Sequence, residues 1–141
     1  MPKTTAFSGG LLGLTFNANA IANLAQNNAT SPATTLTVAL HTADPAVGGT
    51  QSTSEISYTG YARVAIARTS GGWTVASASA SPVANIDFGA MTGGTGGTAT
   101  YFSVGTGTSN AMLYYGAITP SIAVTTGVTP RLTTASVISE A

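Results

Sequence analysis

Thr34-Thr35-Leu36-Thr37-Val38-Ala39-Leu40-His41-Thr42-Ala43-Asp44-Pro45, residues 34–45, sets the class of this chain. Leu36, Val38 and Leu40 alternate with Thr35, Thr37 and Ala39, the period of a half-buried strand. Asp44 before Pro45 then breaks the run, because that pair favours a turn. The same pattern recurs downstream. Residues 61–69 put Ala62, Val64 and Ile66 on one face, Gly71-Gly72 signals a hairpin, and residues 73–80 return with Trp73 and Val75. Further short strands are expected over 86–90, 100–104, 112–118, 121–125 and 132–139. About eight strands with Gly, Pro and Asn turns read as an all-β antiparallel sandwich or barrel spanning 34–139. Thr is the commonest residue, at 25 positions, and its β-branched side chain suits the wet face of a pleated sheet.

Upstream of residue 34 the period changes. Leu11, Leu14, Ala18, Ile21, Ala22, Leu24 and Ala25 recur at spacings of three and four, one apolar stripe of a short N-terminal helix within residues 1–30. Ser8 is the expected N-cap, and Asn27-Asn28 with Ser31-Pro32 the expected stop. Gly9, Gly10 and Gly13 weaken the first turn and move the expected start toward Leu14. The segment also mimics a secretory signal, with Lys3, an apolar run and Ala18-Asn19-Ala20. One cation and a run broken by Gly13 and Thr15 argue against that reading. Asn28-Ala29-Thr30 matches a glycosylation sequon, too short a pattern to carry weight.

Length points to one domain covering 1–141. The chain has four basic and four acidic residues and a formal net charge of zero. Four scattered cations cannot neutralise a run of phosphates, so no nucleic-acid partner is expected. The same scarcity argues against a calcium cage or a charged membrane patch, and no apolar run is long enough for a membrane-spanning helix. With no cysteine and one histidine, neither a metal nor a cofactor is expected.

Catalytic patterns fail on context. His41 and Asp44 lie three apart among many serines, but no Gly-x-Ser-x-Gly elbow exists to present a nucleophile. Asp44 reads instead as the cap of the turn before Pro45. The acids Asp44, Glu55, Asp87 and Glu140 show no local pairing of the kind glycoside hydrolysis needs. They are expected to meet the arginines in structural ion pairs, with Arg63, Arg68, Arg131, Asp44 and Asp87 as the candidates. Strand parity places Arg63 and Arg68 on opposite faces, so at least one is shielded and needs a partner. The Gly-Thr run of 92–98 lacks the lysine and the following helix of a phosphate loop and reads as a flexible loop. Among the aromatics, Trp73 and Tyr114 are expected in the core. Tyr115, adjacent to Tyr114, must then face outward or into a partner.

The residues also carry a resemblance. Ala20-Ile21-Ala22-Asn23, residues 36–45, Gly49-Thr50-Gln51, Tyr58-Thr59-Gly60-Tyr61-Ala62-Arg63 and Gly71-Gly72-Trp73-Thr74 follow one another in an order that resembles a family of small tailed-bacteriophage proteins. Its members are often labelled tail fibre or capsid decoration (cement) proteins. Asn85-Ile86-Asp87-Phe88 and residues 101–106 continue the match more loosely. The resemblance implies a jelly-roll-like β-sandwich with no enzymatic role. It implies a place on the outer capsid surface, after assembly in the host cytoplasm, where such proteins bridge shell subunits. The expected partners are the major capsid protein and further copies of the chain, a homodimer ahead of a trimer. Phe7, Leu11, Leu14, Phe16, Ile21 and Tyr115 are the candidate contact residues, since an apolar face must be buried somewhere. The alternative is a receptor-facing tail protein whose tyrosines bind host glycan.

Overall fold

A computed structural model describes residues 3–21, 24, 32–107 and 110–140. Ala22, Ala25, Asn27-Asn28, Ser31 and the sequon at 28–30 lie outside the described residues. Among the described residues the elements are one helix, α1 (Thr5–Asn17), and nine strands: β1 (Thr35–His41), β2 (Val64–Ala67), β3 (Trp73–Ala76), β4 (Ser79–Pro82), β5 (Ile86–Asp87), β6 (Gly97–Gly105), β7 (Met112–Val124), β8 (Arg131–Leu132) and β9 (Ile138–Ser139). The sheets run β2-β1-β6-β7, β3-β4-β9 and β5-β8. β1 with β6, β6 with β7, β3 with β4 and β4 with β9 pair antiparallel. The chain is therefore all-β with one short helix. Two compact units emerge, one drawn from Met1–Thr35, Ile66–Asn85 and Leu132–Ala141, the other from Leu36–Ala65 and Ile86–Arg131.

In the first unit α1 packs on β3 and β4. The helix starts at Thr5, not near Leu14, with Thr4 as N-cap accepting from the Phe7 N–H at 3.3 Å. Its glycines sit inside it for a steric reason. A Cβ at Gly9 would overlap the carbonyl oxygen of Ser77, so the close approach of helix and turn excludes any larger residue. The buried stripe is Ser8, Leu12, Gly13 and Phe16, which leaves Leu11 and Leu14 half-exposed. Phe16 is fully buried and meets Trp73 edge-on, ring centroids 4.6 Å apart. Ala18 in the left-handed region ends the helix, and the Asn19 N–H closes it onto the Gly13 carbonyl at 3.0 Å. Ser77, also left-handed, turns β3 into β4 where one strand was expected.

The second unit is built on β1, β6 and β7. Leu36, Val38, Ala39 and Leu40 of β1 are all buried, so the strand is covered on both faces rather than half-buried. Its far edge is covered as well. The Leu40 carbonyl accepts from the Ile56 N–H at 2.9 Å, the Leu40 N–H donates to the Tyr61 hydroxyl at 3.1 Å, and the Thr42 N–H donates to the Ser54 carbonyl at 2.8 Å. The expected loop at 92–98 is pinned by Thr59, whose N–H donates to the Gly93 carbonyl while its carbonyl accepts from Thr92, both at 2.9 Å. β7 runs as one strand through Pro120, where two strands were expected, but its register with β6 shifts between Ala117 and Ile122, a bulge near the expected break. Proline is tolerated there because β7 ends its sheet.

Candidate functional site

Two polar clusters in the second unit gather most of the residues that could do chemistry. The first is fully buried. His41 on β1 and Ser103 on β6 are both 0% exposed, with His41 Nε2 2.7 Å from Ser103 Oγ. His41 Nδ1 lies 2.8 Å from the Thr53 carbonyl, which can only accept, so Nδ1 carries the proton and Nε2 accepts from Ser103. Gln51 extends the network. Its Nε2 donates to the Thr37 carbonyl at 2.9 Å, and its Oε1 accepts from the Thr37 hydroxyl at 2.8 Å. Burial pushes the His41 pKa below the ordinary 6.5 despite the Thr53 bond and the Glu55 charge, so the ring is neutral.

A serine on a histidine at hydrogen-bond distance is the beginning of a nucleophilic site, but its third partner here is a main-chain carbonyl. Asp44, the expected partner in the sequence pattern, is exposed and accepts from the Ala46 N–H at 2.8 Å. It caps its own turn and joins no ion pair, which corrects its place among the ion-pair candidates. Sequence reading missed Ser103 and Gln51. Parity could have flagged Ser103, which sits on the central strand between two apolar stretches.

The second cluster is half-buried. Arg63 grips Glu55 with two parallel bonds, Nε to Oε1 at 2.8 Å and Nη2 to Oε2 at 2.7 Å. Its remaining donors reach Asn110 Oδ1 and Ser52 Oγ, both at 2.9 Å. Tyr61 donates its hydroxyl to Glu55 Oε1 at 2.9 Å while accepting from Leu40. The bond to Glu55 raises the Arg63 pKa, and burial holds the Tyr61 phenol above its ordinary range. Gly60, at φ 104° and against the Ala90 carbonyl, allows the turn between Tyr58 and Tyr61. Tyr61 stacks on Phe88 at 6.1 Å, and Tyr58 donates to the Gly89 carbonyl at 2.8 Å. These tyrosines are structural posts of the unit.

The other charged residues resolve simply. Arg131 and Asp87 form an exposed bidentate pair, which raises the one pKa and lowers the other. Lys3 meets Glu140 at 2.7 Å. Arg68 was expected to meet an acid; it donates to the main-chain carbonyls of Leu14, Thr15 and Ala33. It thereby satisfies carbonyls in the last turns of α1 that the helix itself leaves open.

The candidate contact residues scatter. Phe7 is 38% exposed, Leu11, Leu14 and Ile21 are half-exposed, and Phe16 is a core residue that cannot touch a partner. Tyr114 is half-buried rather than core, and Tyr115, paired with Ser103, is half-buried on the opposite face. Among the described residues no group of three or more His, Cys, Asp or Glu could hold a metal ion, and no helix is long and apolar enough to cross a membrane. A family model described as Podophage GP4 fiber I protein gp80 matches residues 14–139. The chain belongs to this phage fibre-protein family. No curated protein matches it. The family match spans both units and every motif that carried the resemblance, so His41, Gln51, Tyr61, Arg63 and Trp73 are the posts on which this fibre-family chain is built.

Proposed function

We propose that the chain is a non-enzymatic building block of a virion fibre, held in place by surface fit and multiplicity. The family match over residues 14–139 carries the reading. Support for a non-enzymatic role comes from the single histidine, which is buried, neutral and fully bonded. Support for attachment by shape comes from the charge count: three ion pairs engage six of the eight formal charges. A contact made this way depends little on screening, so NaCl short of denaturing the particle leaves the protein attached.

The capsid-cement role is the competing position on the same particle. Gold-labelled antibody against the chain separates the two on intact virions. Label confined to tail or fibre appendages is expected. Label spread over the capsid faces, with co-sedimentation of the purified chain on undecorated shells, overturns the fibre reading in favour of cement. Release of the protein by moderate NaCl alone overturns attachment by shape.

A further inference from the structure

β7 is an edge strand whose protection is a proline and two shifts in its register with β6, one at each end of the regular run 114–117, and no charge. It closes the order β2-β1-β6-β7, and no described strand follows it. From Met112 to Ala123 no residue is buried, although the run holds Met112, Leu113, two tyrosines and two isoleucines. Between Asp87 and Arg131 no residue carries a formal charge, so neither β7 nor its partner β6 places a lysine or glutamate on the edge. Edge strands that stay single usually carry such charges to repel other strands.

The ladder tells which groups face outward. Leu40 directs both its N–H and its C=O away from β6, toward Tyr61 and Ile56. Leu40 pairs with Phe102, so in an alternating antiparallel ladder Phe102 directs its own N–H and C=O to the other side, toward β7. Phe102 pairs with Gly116, which therefore faces back to β6. Tyr115 and Ala117, its neighbours, must then present N–H and C=O at the open edge.

We infer that two copies of the chain join β7 to β7, antiparallel, about a two-fold axis at Gly116. In that register Tyr115 of each copy lies opposite Ala117 of the other, and each such pair exchanges both of its main-chain bonds. Gly116 meets its own copy at the axis, where paired strands come closest and the absence of a side chain leaves room. Tyr115 falls opposite Ala117, a large side chain facing a small one, within the run 114–117 that keeps one register with β6. No like charges meet, because the strand has none. An extended partner of another sequence would satisfy the edge too; a second copy is favoured because each Tyr115 then meets a small Ala117 and the uncharged strand meets no like charge. The inference holds wherever on the particle the chain sits.

Sedimentation of the purified full chain over a concentration series tests the pairing. Dimers are expected, and Ala117→Pro, which removes an edge-facing N–H, should raise the dissociation constant at least about tenfold. The chain has no cysteine, so Gly116→Cys supplies a single reporter. A Cβ there meets only Phe102 at 3.8 Å, an ordinary contact. Mild oxidation should link Gly116→Cys into dimers and leave Val47→Cys, 91% exposed elsewhere on the chain, largely unlinked. A wild-type chain that stays monomeric at every concentration overturns the inference, as does a dimer in which Gly116→Cys links no better than Val47→Cys. The cross-link decides the matter if Ala117→Pro fails to fold.

Discussion

β1 and β7 flank the same strand, pair with it in the same antiparallel sense and are both uncharged, yet they lead opposite lives. From Leu36 to His41 only Thr37 escapes burial, and the edge away from β6 is tied to Ile56, Ser54 and the Tyr61 hydroxyl. β7 is nearly twice as long, buries only Val124, and has no described strand beyond it. Apolar content does not separate them. What separates them is whether the rest of the chain returns to cover the strand, and for β1 residues 51–63 and strand β2 do so.

The contrast can be broken most severely at His41. His41→Ala takes the partner from the part-buried Thr53 carbonyl and leaves the buried Ser103 hydroxyl only a long bond from Gln51, at about 1–3 kcal/mol for each group. Chemical denaturation should show a loss of several kcal/mol. The same residue sets a pH dependence. Its folded pKa lies below 6.5, so the unfolded chain binds the proton more readily. The stabilisation from neutral His41 is complete above pH 6.5 and declines as pH falls from there through the folded value. A melting temperature that stays level from pH 7 to 5 would contradict this assignment.

Leu40→Ala and Leu113→Ala make the comparison direct. The first empties a fully buried position and should cost about 2–5 kcal/mol, the second about 1 kcal/mol or less. Equal losses in the two denaturation midpoints would mean that β7 is covered within the single chain. Arg63→Lys probes the cover over β1 more gently. Lysine keeps the charge but not the parallel grip on Glu55, and the pair is half-buried, so about 1–2 kcal/mol is expected after allowing for solvent screening. The loss should be smaller again in the double variant Arg63→Lys with Glu55→Gln than the sum of the two single losses.

The sequence showed the class of the fold because alternation is local: Leu36, Val38 and Leu40 announce a strand whatever lies around them. Alternation does not reveal how many faces are covered, and Ala39 and His41 were buried by segments arriving from elsewhere. Helix and turn boundaries were misread for a related reason. Gly9 looked like a helix breaker and is a packing requirement set by Ser77, a residue far along the chain. Ser77 itself takes a left-handed turn that its residue type does not advertise. Of the site residues, charge scarcity pointed to ion pairs for Arg63, Arg131 and Asp87 without naming their partners, and the Asp-Pro pair pointed to the turn cap of Asp44. The His41–Ser103–Gln51 network was not, since its members lie in three separate segments and only the fold brings them together.

The charge-free span between Asp87 and Arg131 has one more consequence, for survival outside the host. Trypsin-like proteases cut after Lys or Arg, and the whole β6–β7 hairpin offers them neither. Of the four basic side chains, Lys3, Arg63 and Arg131 are ion-paired and Arg68 is bonded to main-chain carbonyls. A strand left open for assembly is thus guarded against one common class of digestion by its composition, where a buried strand would be guarded by its neighbours.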